Sequence, residues 1–549
     1  MSWESFVVHG AGVTASAPWT TLSALAARQA AHMPDRLAAT FYESGQSLTY
    51  AELVQRADAT AAGLHQLGAG RGDRVATVLA NCPEALITWL ACARIGAVYC
   101  PLNNALGDAD LRHVIAEIDP TVLLVEAGAP GQVDWRSLAP AAQLVTLCPA
   151  SPDPSTSGGG GDTGAVGFAS LAQTGTTPPD VAVDPADPAV LILTGGTTGL
   201  PKAVIRNHFS LMCSAVRYAA MLEVAPSDRQ LVNGQLFHSA AQECGFIGPL
   251  MAGIPSYWTA KFSVRSFWDR AISSGATLTD LNGAVLNFLL AQDLSAHDHS
   301  HSLTRAICAT HGVTAKARAQ FQARFGIPHL LEIFAMSETG MLLFCNTPSS
   351  TRDGSVGHSR GWCEVRIADE RGFPLATGEV GEILLRPTLP ASTTSGYFRR
   401  PEATVTLLRD GWLHTQDLGR VDADGWLYFA DRQVNRVRRR GENISVTEVE
   451  QILDSHPQVL ESAVVGVPSE FGDQDLKAVV VALPGPDLRP TTLIDWCVAR
   501  LASFKVPRYI VITDEPLPRA ATKQQIERHQ VRDIGRGREW DRDADRLTA

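Results

Sequence analysis

The residues whose types and order most clearly suggest chemistry are Leu193-Thr194-Gly195-Gly196-Thr197-Thr198-Gly199-Leu200-Pro201-Lys202. Three glycines allow tight backbone turns that aim successive N–H groups at one anion. Three threonine hydroxyls add neutral donors, and Lys202 adds a positive charge. The combination suits the oxygens of a phosphate chain. The apolar run Ala189–Leu193 before the loop reads as a strand, and Ala203–Ile205 after it reads as another. The segment is therefore not a Walker loop, in which Gly-Lys-Ser/Thr opens a helix. The structural alternative is a Gly/Thr hairpin turn that ends in a surface lysine.

The loop also resembles the signature T-[SG]-G-T-T-G-x-P-K-[GA]-V of the adenylate-forming superfamily. That superfamily contains acyl-CoA ligases, peptide-synthetase adenylation domains and luciferases. Further motifs follow in the family's order across most of the chain. Phe237-His238 stands where the family places an aromatic residue or histidine that closes one side of the acyl pocket; a satisfied core histidine is the alternative. Phe334-Ala335-Met336-Ser337-Glu338-Thr339 resembles Y-G-x-T-E-[TS], with Ala335 in place of the usual glycine. The resemblance makes Glu338 the Mg²⁺ ligand, a carboxylate for a hard cation that bridges phosphates. It also places Phe334, Ala335 and Ser337 against the nucleotide.

Gly411-Trp412-Leu413-His414-Thr415-Gln416-Asp417 resembles G-W-x-x-T-G-D. Asp417 would accept hydrogen bonds from the ribose hydroxyls, and Gln416 replaces a glycine, which puts the local backbone geometry in question. Asp431-Arg432 and Arg438-Arg439-Arg440-Gly441-Glu442-Asn443-Ile444-Ser445 resemble the family's hinge and glycine loop. Arg432 is expected at ribose or phosphate, and some of the other arginines are expected to form only a solvated basic face. Leu517-Pro518-Arg519-Ala520-Ala521-Thr522-Lys523-Gln524-Gln525-Ile526 resembles L-P-R-T-x-T-x-K-[VI]. The family's lysine position holds Gln524, Lys523 comes one residue early, and a bulged loop could still deliver it. The resemblance thus nominates Lys202, Glu338, His238 and Lys523 as catalytic.

RRRGENIS, the GQLFHSAAQ segment and the free-standing chain look most like carnitine/crotonobetaine-type acyl-CoA ligases. That likeness implies ATP and Mg²⁺ as cofactors, CoA as co-substrate and a small carboxylic acid as substrate. It implies an acid pocket near His238, Gln242, Glu243, Asn282 and Gly283, with His311, Met336 and Gly340 nearby. The family's adenine loop is altered to Ala309-Thr310-His311-Gly312-Val313, with Gly312 at the nucleotide. Three other readings stay open. One is an aryl- or amino-acid adenylating enzyme that loads a separate carrier protein. Another is a diazotase that activates nitrite for attack by an aromatic amine held by Glu243. The last is a nucleotide-binding regulator.

The elements that must hold these groups read as α/β. Apolar spacing near the helical period marks Thr21–Gln29, Thr49–Leu67 and Glu84–Ile95, and strands are expected at Asp73–Leu79 and Val98–Leu102. A second α/β stretch runs from Pro188 to about Phe334, and residues 354–430 read as a small antiparallel barrel or sheet. The fold class expected is a large N-terminal domain of two α/β subdomains plus that barrel, residues 1–432, and a small α+β domain, residues 433–549. Residues 151–164 are low in complexity and read as a surface loop, and the charged tail after Arg528 is expected to fray. His297, His299 and His301 lie in a polar loop with little claim to a metal.

The chain has 549 residues, 45% hydrophobic and 19% charged, enough to bury large cores. Its net charge of −11 provides no footprint for nucleic acid or an anionic membrane. Ten scattered cysteines without a CxxC pair read as reduced core thiols. Neither a signal peptide nor an apolar run long enough to span a bilayer is evident. The expectation is a cytoplasmic enzyme, with a homodimer compatible with it.

Overall fold

The computed structural model describes residues 5–10, 13–106, 108–127, 134–147, 165–171, 177–194, 201–309, 315–432, 436–439, 442–469, 474–485, 488–519 and 526–544. The chain divides into two compact units. One comprises Met1–Arg366, Leu384–His414 and Val421–Tyr428, and the other Ile367–Ile383, Thr415–Arg420 and Phe429–Ala549. Residues 151–164 fall outside the described residues.

The larger unit holds two eight-stranded sheets. The first runs, edge to edge, through Gly396–Tyr397, Lys202–Asn207, Pro188–Thr194, Val98–Pro101, Arg74–Val78, Val122–Glu126, Gln143–Leu147 and Val166–Gly167. The second runs through Gly340–Cys345, His329–Met336, Arg305–Ala309, Leu278–Asn282, Gln230–Val232, Ser256–Trp258, Leu37–Phe41 and Ser47–Thr49. Most neighbours are parallel, and antiparallel pairs lie at the edges. Parallel strands covered on both faces need near-continuous apolar runs, which Val122–Glu126 and Pro188–Thr194 supply. The two sheets are not filled in chain order. Strands 37–41 and 47–49 belong to the second sheet, while 188–194 and 202–207 belong to the first. This corrects the reading of two consecutive α/β stretches.

The helices begin where their sequences offer caps. Thr49 and Glu52 form a reciprocal capping box for helix Tyr50–Gln66. Pro83 opens helix Pro83–Ile95, and Gly96, at φ 72°, closes it in the left-handed conformation that glycine adopts without penalty. That second helix is apolar nearly all round and lies in the core, with Trp89 fully buried and stacked 5.5 Å from Tyr99. Burying an indole of this size removes about 200 Å² from water, worth about 5 kcal/mol before entropy. Asn207 caps helix His208–Met221, whose residues are almost all buried. This helix carries Arg217 and follows the strand that carries Lys202 and Arg206.

Residues 354–430 contribute a five-stranded sheet ordered Cys363–Ala368, Gly381–Pro387, Trp412–Val421 and Leu408–Arg409, with Leu427–Arg432 also paired to Trp412–Val421. In the smaller unit, strands Val459–Pro468, Gln474–Ala482, Tyr509–Thr513 and Trp540–Asp541 form one sheet under helices Val446–Asp454 and Pro490–Val498. The charged tail does not fray as composition suggested. Arg528–Val531 is helical, and Trp540–Asp541 pairs antiparallel with Tyr509–Ile510. Some of its charges pair inside the fold, whereas Arg536 and Asp533 stay exposed. Arg508 binds Asp541, and Asp475 accepts from both Arg439 (2.6 Å) and Arg508 (2.9 Å). Arg439 is thus a buried structural cation, not part of a solvated face.

Removing a carboxylate that serves two largely buried arginines leaves both uncompensated. Asp475→Ala is expected to lower the stability of this unit by ~3–5 kcal/mol, read as a fall in the urea midpoint. A loss near zero would show that the two guanidinium groups are solvated.

Candidate active site

Thr194 and Lys202 face each other across the antiparallel pair formed by Pro188–Thr194 and Lys202–Asn207, and the Thr194 hydroxyl donates to the Lys202 carbonyl at 3.2 Å. The glycine/threonine segment therefore closes a hairpin, and Lys202 opens the return strand. Gly195, Gly196, Thr197, Thr198 and Gly199 themselves lie outside the described residues. Lys202 is half-buried, and its ammonium makes no ion pair among the described residues. It sits 5.1 Å from the centroid of the Tyr397 ring. A cation kept from any carboxylate is a natural anion site.

Tyr397 comes from the neighbouring edge strand, with Val204 its partner across the ladder. The strand is pinned closely. Thr394 donates its hydroxyl to Ile205 O and accepts from Gly396 N–H, and Tyr397 N–H donates to Thr404 Oγ1. The Tyr397 hydroxyl donates to Glu338 Oε1 at 2.7 Å. Burial first, and then the Glu338 charge, push this phenol well above its usual range, so it stays protonated and remains a donor. Glu338 Oε2 has no hydrogen-bond partner among the described residues. A single buried carboxylate with one open oxygen fits Mg²⁺ that arrives on phosphates, since that ion keeps its waters and needs one or two carboxylates. No group of three or more metal-ligating side chains occurs among the described residues, so a protein-built cage is not what these residues offer.

The segment that carries Glu338 is a three-residue turn, Ser337–Thr339, between strands His329–Met336 and Gly340–Cys345. Gly340 takes φ 78°, and a Cβ there would lie 2.5 Å from Ser214 Oγ and 2.7 Å from Arg206 Nη2. Only glycine meets both demands. Beneath the turn lies a charged network sealed from solvent. Arg206 Nη1 donates to Glu243 Oε1 at 2.9 Å and to Ser337 O at 3.1 Å. Arg217 donates to Thr339 O and Met341 O, and Met341 N–H donates to Glu243 Oε2 at 2.7 Å. Arg206, Arg217 and Glu243 are each 0% exposed. Burial lowers the Arg217 guanidinium from its usual range, yet an arginine stays charged at any physiological pH.

The sequence-nominated residues divide accordingly. Lys202 and Glu338 converge on Tyr397. Ala335, Met336 and Ser337 are half-buried beside Glu338, and Phe334 packs edge-on to Phe344. Both oxygens of Glu243 are occupied by protein donors, so it is an internal brace and not a group free to hold an amine. Gly340 is packed so closely that a Cβ there would meet Ser214 and Arg206. Gln242, fully buried on the π-helix Ala241–Ile247, donates to Leu236 O, and His238 lies in the loop before it with its ring 4.4 Å from Phe237. Asn282 spends its side chain capping helix Gly283–Leu290, and Gly283 is buried at that helix start. Asp417 is buried, and its N–H donates to Thr415 Oγ1. His311, Gly312 and Lys523, and the side chain of Arg432, lie outside the described residues. Of the three loop histidines, His301 stacks on Trp268 and His297 faces Asp269.

Sequence reasoning missed Tyr397, Arg206 and Arg217, and also Asp280. That last carboxyl sits in the middle of strand Leu278–Asn282 and accepts from Asn233 N–H, with burial pushing it up to about 6. An arginine directly after the apolar run Ala203–Ile205, with another about three helical turns on, was the available signal for the buried pair.

Gln416 adopts φ 59° where the family's motif has glycine, so the turn keeps the glycine geometry at a steric cost. Gln416→Gly is expected to raise stability by up to ~1 kcal/mol, and an unchanged or lower melting midpoint would refute a strained turn. Glu243→Gln strips two buried arginines of their counter-charge. The expected loss is ~3–5 kcal/mol with reduced activity; normal stability in urea melts would mean that the pair is replaceable.

An AMP-binding enzyme family model matches residues 26–398, and a model of the AMP-binding enzyme C-terminal domain matches residues 448–524. The chain is 32% identical over 494 residues to a crotonobetaine/carnitine–CoA ligase of Escherichia coli O7:K1, covering 88% of this chain and 92% of that one. It resembles ATP-bound MatB from Rhodopseudomonas palustris with a TM-score of 0.82 at 26% identity, over 94% of this chain and 99% of the other. O-succinylbenzoate CoA synthetase from Bacillus subtilis, in complex with ATP and magnesium ion, shares the fold with a TM-score of 0.78 at 24% identity, over 93% and 99% of the two chains. With the hairpin loop, the paired Glu338 and these likenesses together, the chain belongs to the AMP-binding enzyme family, as an AMP-forming ligase of the acyl-CoA ligase branch.

Proposed function

We propose that this chain activates a small carboxylic acid with ATP and transfers the acyl group to CoA, with the residues around Lys202 as its phosphate site. The observation that carries the reading is a half-buried ammonium with no ion pair among the described residues, sharing Tyr397 with a carboxylate whose other oxygen has no hydrogen-bond partner among them. In the first step the acid's carboxylate oxygen attacks the α-phosphorus of ATP, and pyrophosphate leaves. No general base is needed, because the nucleophile is already ionised. Lys202 and the backbone donors of the preceding loop offset the charge that builds on phosphate oxygens. Glu338 would hold Mg²⁺, which supplies charge neutralisation across the phosphates when bound. In the second step the thiolate of CoA attacks the acyl carbonyl, and AMP leaves with the bonding electrons.

Asp417 is assigned to the ribose, Arg432 to ribose or phosphate, and Lys523 to the adenylation step. His238 and Gln242 are assigned to the acid pocket. We place the boundary between the two catalytic segments at residue 433. The relative from Escherichia coli supports CoA as acceptor. The internal commitment of Glu243 removes the residue that favoured an amine-binding diazotase. No helix among the described residues is long and apolar enough to cross a membrane, and a supply of both ATP and CoA points to the cytoplasm.

The deciding experiment is pyrophosphate release across a panel of acids, with CoA, nitrite and amines supplied separately. AMP and a CoA thioester are expected. Lys202→Ala should slow turnover by at least ~10²-fold, and Lys523→Ala should selectively slow adenylation. Release that depends on nitrite but not CoA would overturn the reading.

A further inference from the structure

The geometry points to Tyr397 as a positioning residue that keeps the Lys202 ammonium and the Glu338 carboxylate apart, so that both stay available to the metal-bound nucleotide. The inference rests on the phosphate-site reading given above. Opposite charges on flexible side chains in one partly dry cleft attract strongly and tend to neutralise each other. Here they do not: among the ion pairs of the described residues, none joins Lys202 to Glu338 within 4.0 Å. One aromatic side chain occupies both. Its hydroxyl donates to Glu338 Oε1 at 2.7 Å, and its ring lies 5.1 Å from Lys202 Nζ. The ring face offers the ammonium a weak cation–π partner in place of a carboxylate. The hydroxyl fixes one carboxylate oxygen and leaves the other open.

Tyr397 is itself held rigidly enough to act as a spacer. Its N–H is bonded to Thr404 Oγ1. Gly396, at φ 123°, lies so close to Thr404 that a Cβ would come within 2.3 Å of Thr404 Cγ2. The Glu338 end is equally fixed, because Thr394 N–H donates to Glu338 O at 2.8 Å. The carboxylate thus sits on a pinned turn and the lysine on a paired strand, and the phenol contacts both.

Calorimetric titration of the full chain with ATP, first in EDTA and then with Mg²⁺, separates this role from simple packing. In Tyr397→Ala the lysine and carboxylate pair, so metal-free ATP binding weakens by about tenfold or more. Adding Glu338→Gln to Tyr397→Ala removes the competing carboxylate, and metal-free binding returns to that of Glu338→Gln alone. Tyr397→Phe keeps the ring under Lys202 but frees Glu338. Metal-free ATP binding then holds near wild type, while the Mg²⁺ concentration for half-maximal tightening rises by roughly threefold. Circular dichroism confirms folding of each variant. Metal-free binding that is unchanged in Tyr397→Ala overturns the inference, as does a double variant as weak as the single one. Should Tyr397→Ala fail to fold, an unshifted Mg²⁺ dependence in Tyr397→Phe overturns it. Wild-type protein that binds no ATP in either buffer would instead overturn the phosphate-site reading itself.

Discussion

The site depends on a salt bridge that never meets water. Arg206, Glu243 and Arg217 bring two positive charges and one negative into the core beside helix His208–Met221. Such groups cost several kilocalories per mole to desolvate, and their attraction seldom repays more than that. Their value here is positional. Part of their bonding capacity goes to Ser210 and Ser214 on that helix, and part to the backbone of the turn and the strand after it, through Ser337 O, Thr339 O, Met341 O and Met341 N–H. The turn can satisfy that network in one conformation only, and Gly340 is the residue that lets it approach closely enough.

A second electrostatic arrangement lies just above the first and follows the opposite logic. Below the turn the charges are sealed from solvent and held by Glu243 and by backbone and serine oxygens. Above it, among the described residues, Lys202 makes no ion pair and Glu338 has one oxygen without a hydrogen-bond partner. A protein can maintain such an imbalance only where the backbone is over-determined, and both strands there are locked by Thr394 and Thr404. The rigid network stabilises the turn, and the turn keeps the reactive groups poised.

Sequence alone disclosed the parts that local chemistry encodes. The apolar runs on either side of the glycine loop announced two strands, and Thr49 with Glu52 announced a helix start. The loop, Glu338 and Asp417 could be nominated because each sits in a dense local pattern. Sheet membership was not, because strands 37–41 and 188–194 are exchanged between sheets by packing that spacing does not record. Glu243 looked like a pocket acid because its partner, Arg206, lies 37 positions away. Tyr397 stands on a two-residue strand 59 positions after the carboxylate that it holds, and carries no local signature. The tail was misread because a high density of charge usually means hydration, whereas Arg508 and Asp541 use theirs to join one strand to another.

The last described strand, Trp540–Asp541, covers the open side of the next strand at Tyr509 and Ile510. The family's C-terminal match stops at residue 524, so that cover lies outside the matched segment. A polypeptide trimmed to the homologous boundary would bare the N–H and C=O groups of a β-rich ladder, Tyr-Ile-Val-Ile-Thr, to other molecules. Unsheltered rims of this composition recruit further strands from solution. The strand at Trp540–Asp541 therefore shelters part of that rim, and shortening the gene to the matched boundary would bare it to intermolecular sheet growth.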